Sequence, residues 1–148
     1  MVYRIAEVDG TDEEIVDTLR ELHEECFGAS APNITATDAE RGHWWLAFAV
    51  DEQRELAGFC GLTPTYADTT LGYLKRAGVR RPHRGQGLQR RFVRVREARA
   101  RRLGMRGIVT DTSDNPSSAN NLIKCGYRIY RPENPWGFNH TIYWTKDL

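Results

Sequence analysis

The sequence predicts an α/β (α+β) fold, a mixed and mostly antiparallel sheet flanked by helices, in a single domain over residues 1–148. Three observations lead there. Between His43 and Val79 three strand-like runs follow one another with only short turns between them, which makes an antiparallel meander. An amphipathic helical segment then separates two apolar runs, a strand-helix-strand unit that calls for a parallel pair. The composition, 40% hydrophobic and 28% charged, is that of a globular chain able to bury a core without staples.

Taken in order, Tyr3 to Val8 alternates and reads as a first strand. Thr11-Asp12-Glu13-Glu14 offers a capping box for a helix over about residues 12–26, with Ile15, Leu19, Leu22 and Cys26 as its buried stripe. His23 beside that stripe is read as a packing or solvent-facing residue. A loop from Gly28 to Thr37 and a helical turn near Asp38 to Gly42 lead into the meander. Its strands are residues 43–50, 56–62 and 70–79, with turns at Asp51 to Arg54 and Tyr66 to Thr69. Trp44 and Trp45 point to opposite faces of their strand, so one is placed in the core, and for the other core and groove both stay open.

The next helix covers residues 88–103, with Leu88, Phe92, Val95 and Leu103 as its apolar positions and Gly104 closing it. A strand over residues 106–112 follows. Asn115-Pro116 is a cap with proline at the first helical position, and Gly126 ends that short helix. Strands at residues 127–130 and 139–145 complete the chain, separated by the loop Arg131 to Gly137.

Charge is unevenly spread. From Lys75 to Arg106 there are 13 basic residues against the single acid Glu97, whereas the remainder carries 8 basic and 19 acidic residues. A localised anionic ligand accounts for this better than general attraction to polyanions. Cys26, Cys60 and Cys125 are odd in number and have no paired spacing, which fits a reducing cytoplasm. The longest apolar run, Trp44 to Val50, is too short for a membrane helix, and Met1 to Gly10 does not read as a signal peptide. His23, His43, His83 and His140 lack ligand spacing, so no metal site is expected.

The segment Ala77-Gly78-Val79-Arg80-Arg81-Pro82-His83-Arg84-Gly85-Gln86-Gly87-Leu88 organises the chain. A strand ends in a glycine turn and a helix opens directly from it, leaving unpaired backbone NH groups and a positive dipole end for phosphate. Gly85 and Gly87 permit conformations closed to other residues, and Arg84 adds a guanidinium. The spacing fits neither a P-loop nor a dinucleotide fingerprint. His83 is read as a solvated loop residue.

Val79, Arg84, Gly85 and Gly87 resemble the cofactor motif of the GNAT superfamily of N-acetyltransferases, Val-x-x-x-x-Arg-Gly-x-Gly-x-Gly/Ala. The run from Asn115 to Gly126-Tyr127 resembles that family's second motif. The resemblance implies the GNAT (acyl-CoA N-acyltransferase) fold and acetyl-CoA (coenzyme A) as cofactor. It implies that Ala77 and Val79 bond the pantetheine arm through their backbone. The backbone of Arg84, Gly85, Gln86, Gly87, Leu88 and Gln89 would hold the pyrophosphate, with Asn121 as a further polar contact. Gln89 departs from the family's Gly or Ala, which sets a long amide beside the phosphates.

By the same resemblance the protein transfers acetyl from acetyl-CoA to a primary amine by direct attack, and Cys125 packs rather than acting as nucleophile. The family's usual tyrosine acid is replaced by Leu122, and its usual glutamate is missing from Tyr73 to Val79. Asp111 is the candidate base, with Asp114 behind it, and Tyr127 and Tyr143 are candidate acids. Positioning without an essential side chain is the alternative. The expected partner is a small-molecule or peptide amine, with no membrane, and a homodimer is allowed. The acidic residues of the first helix and its following loop suit a cationic acceptor or form a solvated face. A coenzyme A-binding protein without catalysis is the second reading. A basic nucleic-acid-binding module is the third, disfavoured because aromatic residues do not interleave with the arginines.

Overall fold

The computed structural model describes all 148 residues. Seven strands form one sheet in the order β1-β2-β3-β4-β5-β7-β6. In chain order these are β1 (Tyr3–Val8), β2 (His43–Ala49), β3 (Leu56–Pro64), β4 (Leu71–Val79), β5 (Gly107–Ser113), β6 (Arg128–Tyr130) and β7 (Thr141–Asp147). Four helices accompany them: α1 (Glu13–Phe27), α2 (Ala36–Arg41), α3 (Leu88–Arg102) and α4 (Pro116–Lys124). The chain divides into two compact units, residues 1–63 with 75–92 and residues 64–74 with 93–148, so β3, β4 and α3 each supply residues to both.

In the first unit, β1 pairs antiparallel with β2 from Tyr3↔Ala49 to Val8↔Trp44, and β2 pairs antiparallel with β3. The connecting turn is held by Asp51, whose Oδ1 accepts the NH groups of Gln53 at 3.1 Å and Arg54 at 2.9 Å. The α1 cap differs from the sequence expectation. Asp12, not Thr11, accepts the Glu14 NH at 2.9 Å, while Thr11 donates its NH and hydroxyl to Asp9. Asp12 stands directly before the first helical residue, where its carboxylate reaches the first free donors, and Glu13 and Glu14 add favourable charge there. Gly28 ends α1 at φ 87°. The helical turn at Asp38 is a full helix, α2, capped by the Thr35 hydroxyl.

Leu19, Leu22, Ile34, Ala39, Trp44, Leu46 and Phe59 form the core of this unit. Trp44 and Trp45 are both buried, so neither lines a groove: β2 is an inner strand covered on its two faces. His23 faces inward, fully buried against Phe27 and Phe59, and neither ring nitrogen finds a partner.

In the second unit, β5 runs parallel to β4 from Leu71↔Gly107 to Tyr73↔Val109 and antiparallel to β7 over its whole length. β6 pairs antiparallel with β7. α4 begins as expected, Asn115 Oδ1 accepting the Ser118 NH at 3.1 Å and Pro116 following, and Gly126 leaves it at φ 90°. The inward face of α3 is displaced from the expected stripe: Leu88, Phe92, Val93, Arg96, Glu97 and Ala100 are buried, whereas Leu103 is exposed. Glu97 tolerates burial because Lys146 Nζ lies 2.7 Å from its carboxylate. The last strand starts at Thr141 because a turn closed by the Thr141 NH on the Phe138 carbonyl occupies residues 138–141.

Candidate active site

The glycine loop lies wholly in the first unit. β4 ends at Val79, a single 3-10 turn occupies Arg81–His83, and α3 begins at Leu88. Arg80 clamps the start of the loop. Its Nε donates to Glu25 at 2.8 Å, and its Nη1 donates to Glu55 at 2.8 Å and to the Leu56 carbonyl at 2.9 Å. His83 is not solvated: it is buried, its Nδ1 2.9 Å from the Tyr3 hydroxyl and its Nε2 3.5 Å from Glu55. Arg91 Nη2 donates to the Tyr3 carbonyl at 3.1 Å, tying the first turn of α3 to β1. The loop is thus fastened at both ends before any ligand arrives.

Between these anchors few backbone NH groups are bonded. The Arg84 NH turns back to the Arg81 carbonyl at 3.3 Å, and the first helical bond of α3 is Arg91 NH to the Gly87 carbonyl at 3.3 Å. The NH groups of Gly85 through Arg90 find no acceptor in the chain. The run of free donors therefore begins one residue later than the sequence suggests and extends one residue further. Gly85 at φ 77° and Gly87 at φ 79° make the alternating turn, and a Cβ at either would meet open space. Glycine is required there by conformation, not by crowding. Consecutive unbonded NH groups at a helix N-terminus are the donors an anion cradle needs, and a diphosphate is a candidate anion for them.

Three side chains sit around the cradle. Leu88 is buried and anchors the first helical turn while its NH stays free. Arg84 is exposed and donates Nε to the Val79 carbonyl at 3.1 Å, leaving the rest of its guanidinium for an anion. That contact takes up a carbonyl which the resemblance assigned to the pantetheine arm. Gln89 donates its amide to the Ala77 carbonyl at 3.5 Å, which engages the side chain with the strand end. Beside this end of β4 lies Cys26, whose thiol burial pushes up, with Glu25 adding to the effect and Arg84 and Arg80 opposing it.

Part of the basic run is engaged within the protein. Lys75 pairs with the buried Asp38 at 3.0 Å and Arg106 with Asp68 at 2.6 Å; Arg80, Arg84 and Arg91 have the partners given above, and Arg96 is buried. Arg81, Arg90, Arg94, Arg101 and Arg102 stay exposed.

The candidate catalytic residues belong to the second unit. Asp111 is half-buried on β5, and its Oδ2 accepts hydrogen bonds from the Tyr73 hydroxyl and, at 2.7 Å, from Trp136 Nε1. The rings form a chain: Tyr73 to Trp136 at 6.2 Å between centroids and Trp136 to Tyr143 at 4.6 Å, both edge-on. The Gly137 NH donates to the Tyr143 hydroxyl at 2.7 Å and pins the loop carrying Trp136. Burial pushes the Tyr130 phenol up, with the nearby Tyr143 and Asp111 adding to it. Asn121 lies half-buried on α4 with its side chain unpartnered.

Tyr127 is corrected as a proton donor. Its hydroxyl is buried without a hydrogen bond, Lys146 Nζ sits 5.6 Å from its ring centre, and burial followed by the charge of Glu97 raises its pKa strongly. It packs against the Glu97–Lys146 pair instead of facing an acceptor. Asp114 is exposed 3.2 Å from His140 and does not join Asp111. Sequence reasoning missed Tyr73 and Trp136. The one signal for Trp136 was a tryptophan between Pro135 and Gly137 in a loop, where no core periodicity accounts for it.

The profile of the Acetyltransferase (GNAT) family matches residues 12–127, and the chain belongs to that family. The probable N-acetyltransferase 14 of Xenopus tropicalis is 34% identical over 105 residues, 70% of this chain and 50% of that protein. The chain thus spans about half the length of this curated relative. Among solved structures, an acetyltransferase of Bacillus subtilis in complex with coenzyme A superposes with a TM-score of 0.74 at 22% identity over 99% of both chains. A phosphinothricin acetyltransferase of Sinorhizobium meliloti in complex with acetyl-coenzyme A gives a TM-score of 0.72 at 15% identity, over 100% of this chain and 89% of that one. Both likenesses establish the fold. No helix is long and apolar enough to cross a membrane.

Proposed function

We propose that the protein transfers an acetyl group from acetyl-CoA to a primary amine by direct attack, on a small molecule or a peptide, and that it works in the cytoplasm. The observation that carries the reading is the run of six free NH groups from Gly85 to Arg90 at the head of α3. Together with Arg84 these donors bind the diphosphate of the cofactor. Bound acetyl-CoA supplies an activated thioester. The acceptor nitrogen, neutral when it attacks, forms the bond to the acetyl carbon as the carbon–sulfur bond breaks, and its surplus proton ends on the departing thiolate. Asp111 belongs to the acceptor end, where its carboxylate meets the amine-bearing molecule. With Cys26 held as the thiol and Cys125 capping α4, no cysteine is offered as a nucleophile.

A specific observation favours one second reading, coenzyme A binding without turnover. The α4 position expected to carry the acid is the buried Leu122, and the phenol of Tyr127 is enclosed. Thiol release from acetyl-CoA across an amine panel, paired with coenzyme A calorimetry, separates the two. Binding with amine-dependent thiol release supports transfer, binding without release supports the second reading, and no binding overturns both.

A further inference from the structure

The carboxylate of Asp111 is held in an unusual way. Both of its hydrogen bonds, from the Tyr73 hydroxyl and Trp136 Nε1, fall on Oδ2. Oδ1 has no partner, and no lysine, arginine or histidine of the chain pairs with this residue. The carboxylate accepts from both groups and donates to neither. Three aromatic rings line it: Tyr73, Trp136 and Tyr143, the last its register partner across β5 and β7. Trp136 is 48% exposed, a large apolar surface left facing solvent beside an unneutralised negative charge. The loop is not free to swing away, since the Gly137 NH is bonded to the Tyr143 hydroxyl at 2.7 Å.

A carboxylate with an open oxygen in an aromatic surround is chemistry that receives an organic cation: the oxygen supplies charge and a hydrogen-bond acceptor, and the exposed indole of Trp136 supplies apolar surface for the rest. Resting on the acetyl-transfer reading above, we infer that Asp111, Tyr73, Trp136 and Tyr143 form an anchor for a second, non-reacting ammonium group of the acceptor. In this reading Asp111 anchors rather than acting as the base the sequence suggested: the nitrogen ion-paired to it stays protonated, and a different nitrogen attacks. The acceptor therefore carries at least two basic groups, one fixed at Oδ1 and another free to react. This names the acceptor class as diamines and molecules built like them.

Diamines from diaminopropane to diaminohexane, each tested against the amino alcohol of the same length, isolate the second charge. The wild-type kcat/KM is expected to be about tenfold or more higher for the best diamine than for its amino alcohol. In Asp111→Asn that ratio is expected to fall close to unity, with the loss mainly in KM, while calorimetric affinity for coenzyme A stays put. Equal rates for diamine and amino alcohol in the wild type would overturn the inference, as would an Asp111→Asn variant that slows both equally.

A second arm does not depend on turnover. Tryptophan fluorescence is followed while the same diamines are titrated, with butanediol as the uncharged control and Trp136→Phe to assign the signal. A saturable change seen with diamine, absent with butanediol and lost in Asp111→Asn, is expected. Should no acetyl transfer occur while this signal persists, the transferase reading fails and the cation anchor stands. Absence of the signal overturns the anchor.

Discussion

Arg84 Nε donates to the carbonyl of Val79 at 3.1 Å, so the side chain that precedes the two glycines also closes the end of β4 beneath them. One residue thereby shapes the cradle and charges it. Replacement by alanine removes both roles, and coenzyme A affinity is expected to fall about 10- to 100-fold, the worth of one charge-assisted phosphate contact. Arg84→Lys is expected to recover only part of this, because an ammonium cannot hold Val79 and a phosphate in the same plane. Calorimetry measures the affinity; unchanged binding in Arg84→Ala would place the phosphates elsewhere.

Gly137 tests the acceptor end separately. A Cβ there would lie 2.6 Å from Thr141 Oγ1 and 2.8 Å from its Cγ2. The Gly137→Ala loop must shift, carrying Trp136 off Asp111. Acceptor turnover is expected to drop by about tenfold or more, since misplacement of this order costs up to ~100-fold. Coenzyme A affinity should be retained, because the cradle belongs to the other unit.

His23 makes a pH prediction. Burial, with Arg76 and then Lys75 adding to it, holds its imidazole below the ordinary 6.5. The unfolded chain then binds more protons than the folded one just below that value. Stability is fully present above about 6.5 and is lost as the pH falls toward the lower folded value. His23→Phe keeps the ring packing against Phe27 and Phe59 and is expected to flatten this limb in urea titrations run from pH 8 to 5. At pH 8 the variant should be about 1–2 kcal/mol more stable, because two unpartnered nitrogens leave the core. Parallel pH curves for the two proteins would refute the assignment.

The Glu97–Lys146 pair can be dissected by a double-mutant cycle. Glu97→Gln leaves Lys146 with the Cys125 carbonyl at 2.8 Å as its remaining hydrogen-bond partner. A loss of about 2–3 kcal/mol in urea unfolding is expected, somewhat under the usual cost of orphaning a buried charge because the lysine is partly solvated. Adding Lys146→Met should restore much of it, and strictly additive losses would show that the pair is not coupled.

Local rules were enough for much of this chain. The strand runs in residues 43–79, the Asn115-Pro116 cap and the Gly85-x-Gly87 turn each follow from backbone geometry and side-chain size, so the meander, the ends of α4 and the anion cradle could be read from the residues alone. What neighbouring residues cannot specify is which distant groups satisfy a polar side chain. The burial of His83 depends on Tyr3, 80 positions away. Glu97 enters the interior only because β7 delivers Lys146, and Tyr127 is enclosed by the same pair. Asp111 could be nominated as a carboxylate at a strand end. Its partners Tyr73 and Trp136, 38 and 25 positions distant, are brought to it by pairing in the sheet and by the Gly137–Tyr143 bond. The donor side of the chemistry was written in a contiguous motif, because a phosphate cradle is made of backbone. The acceptor side is made of side chains from separate strands and a loop, and only the tertiary structure could assemble it.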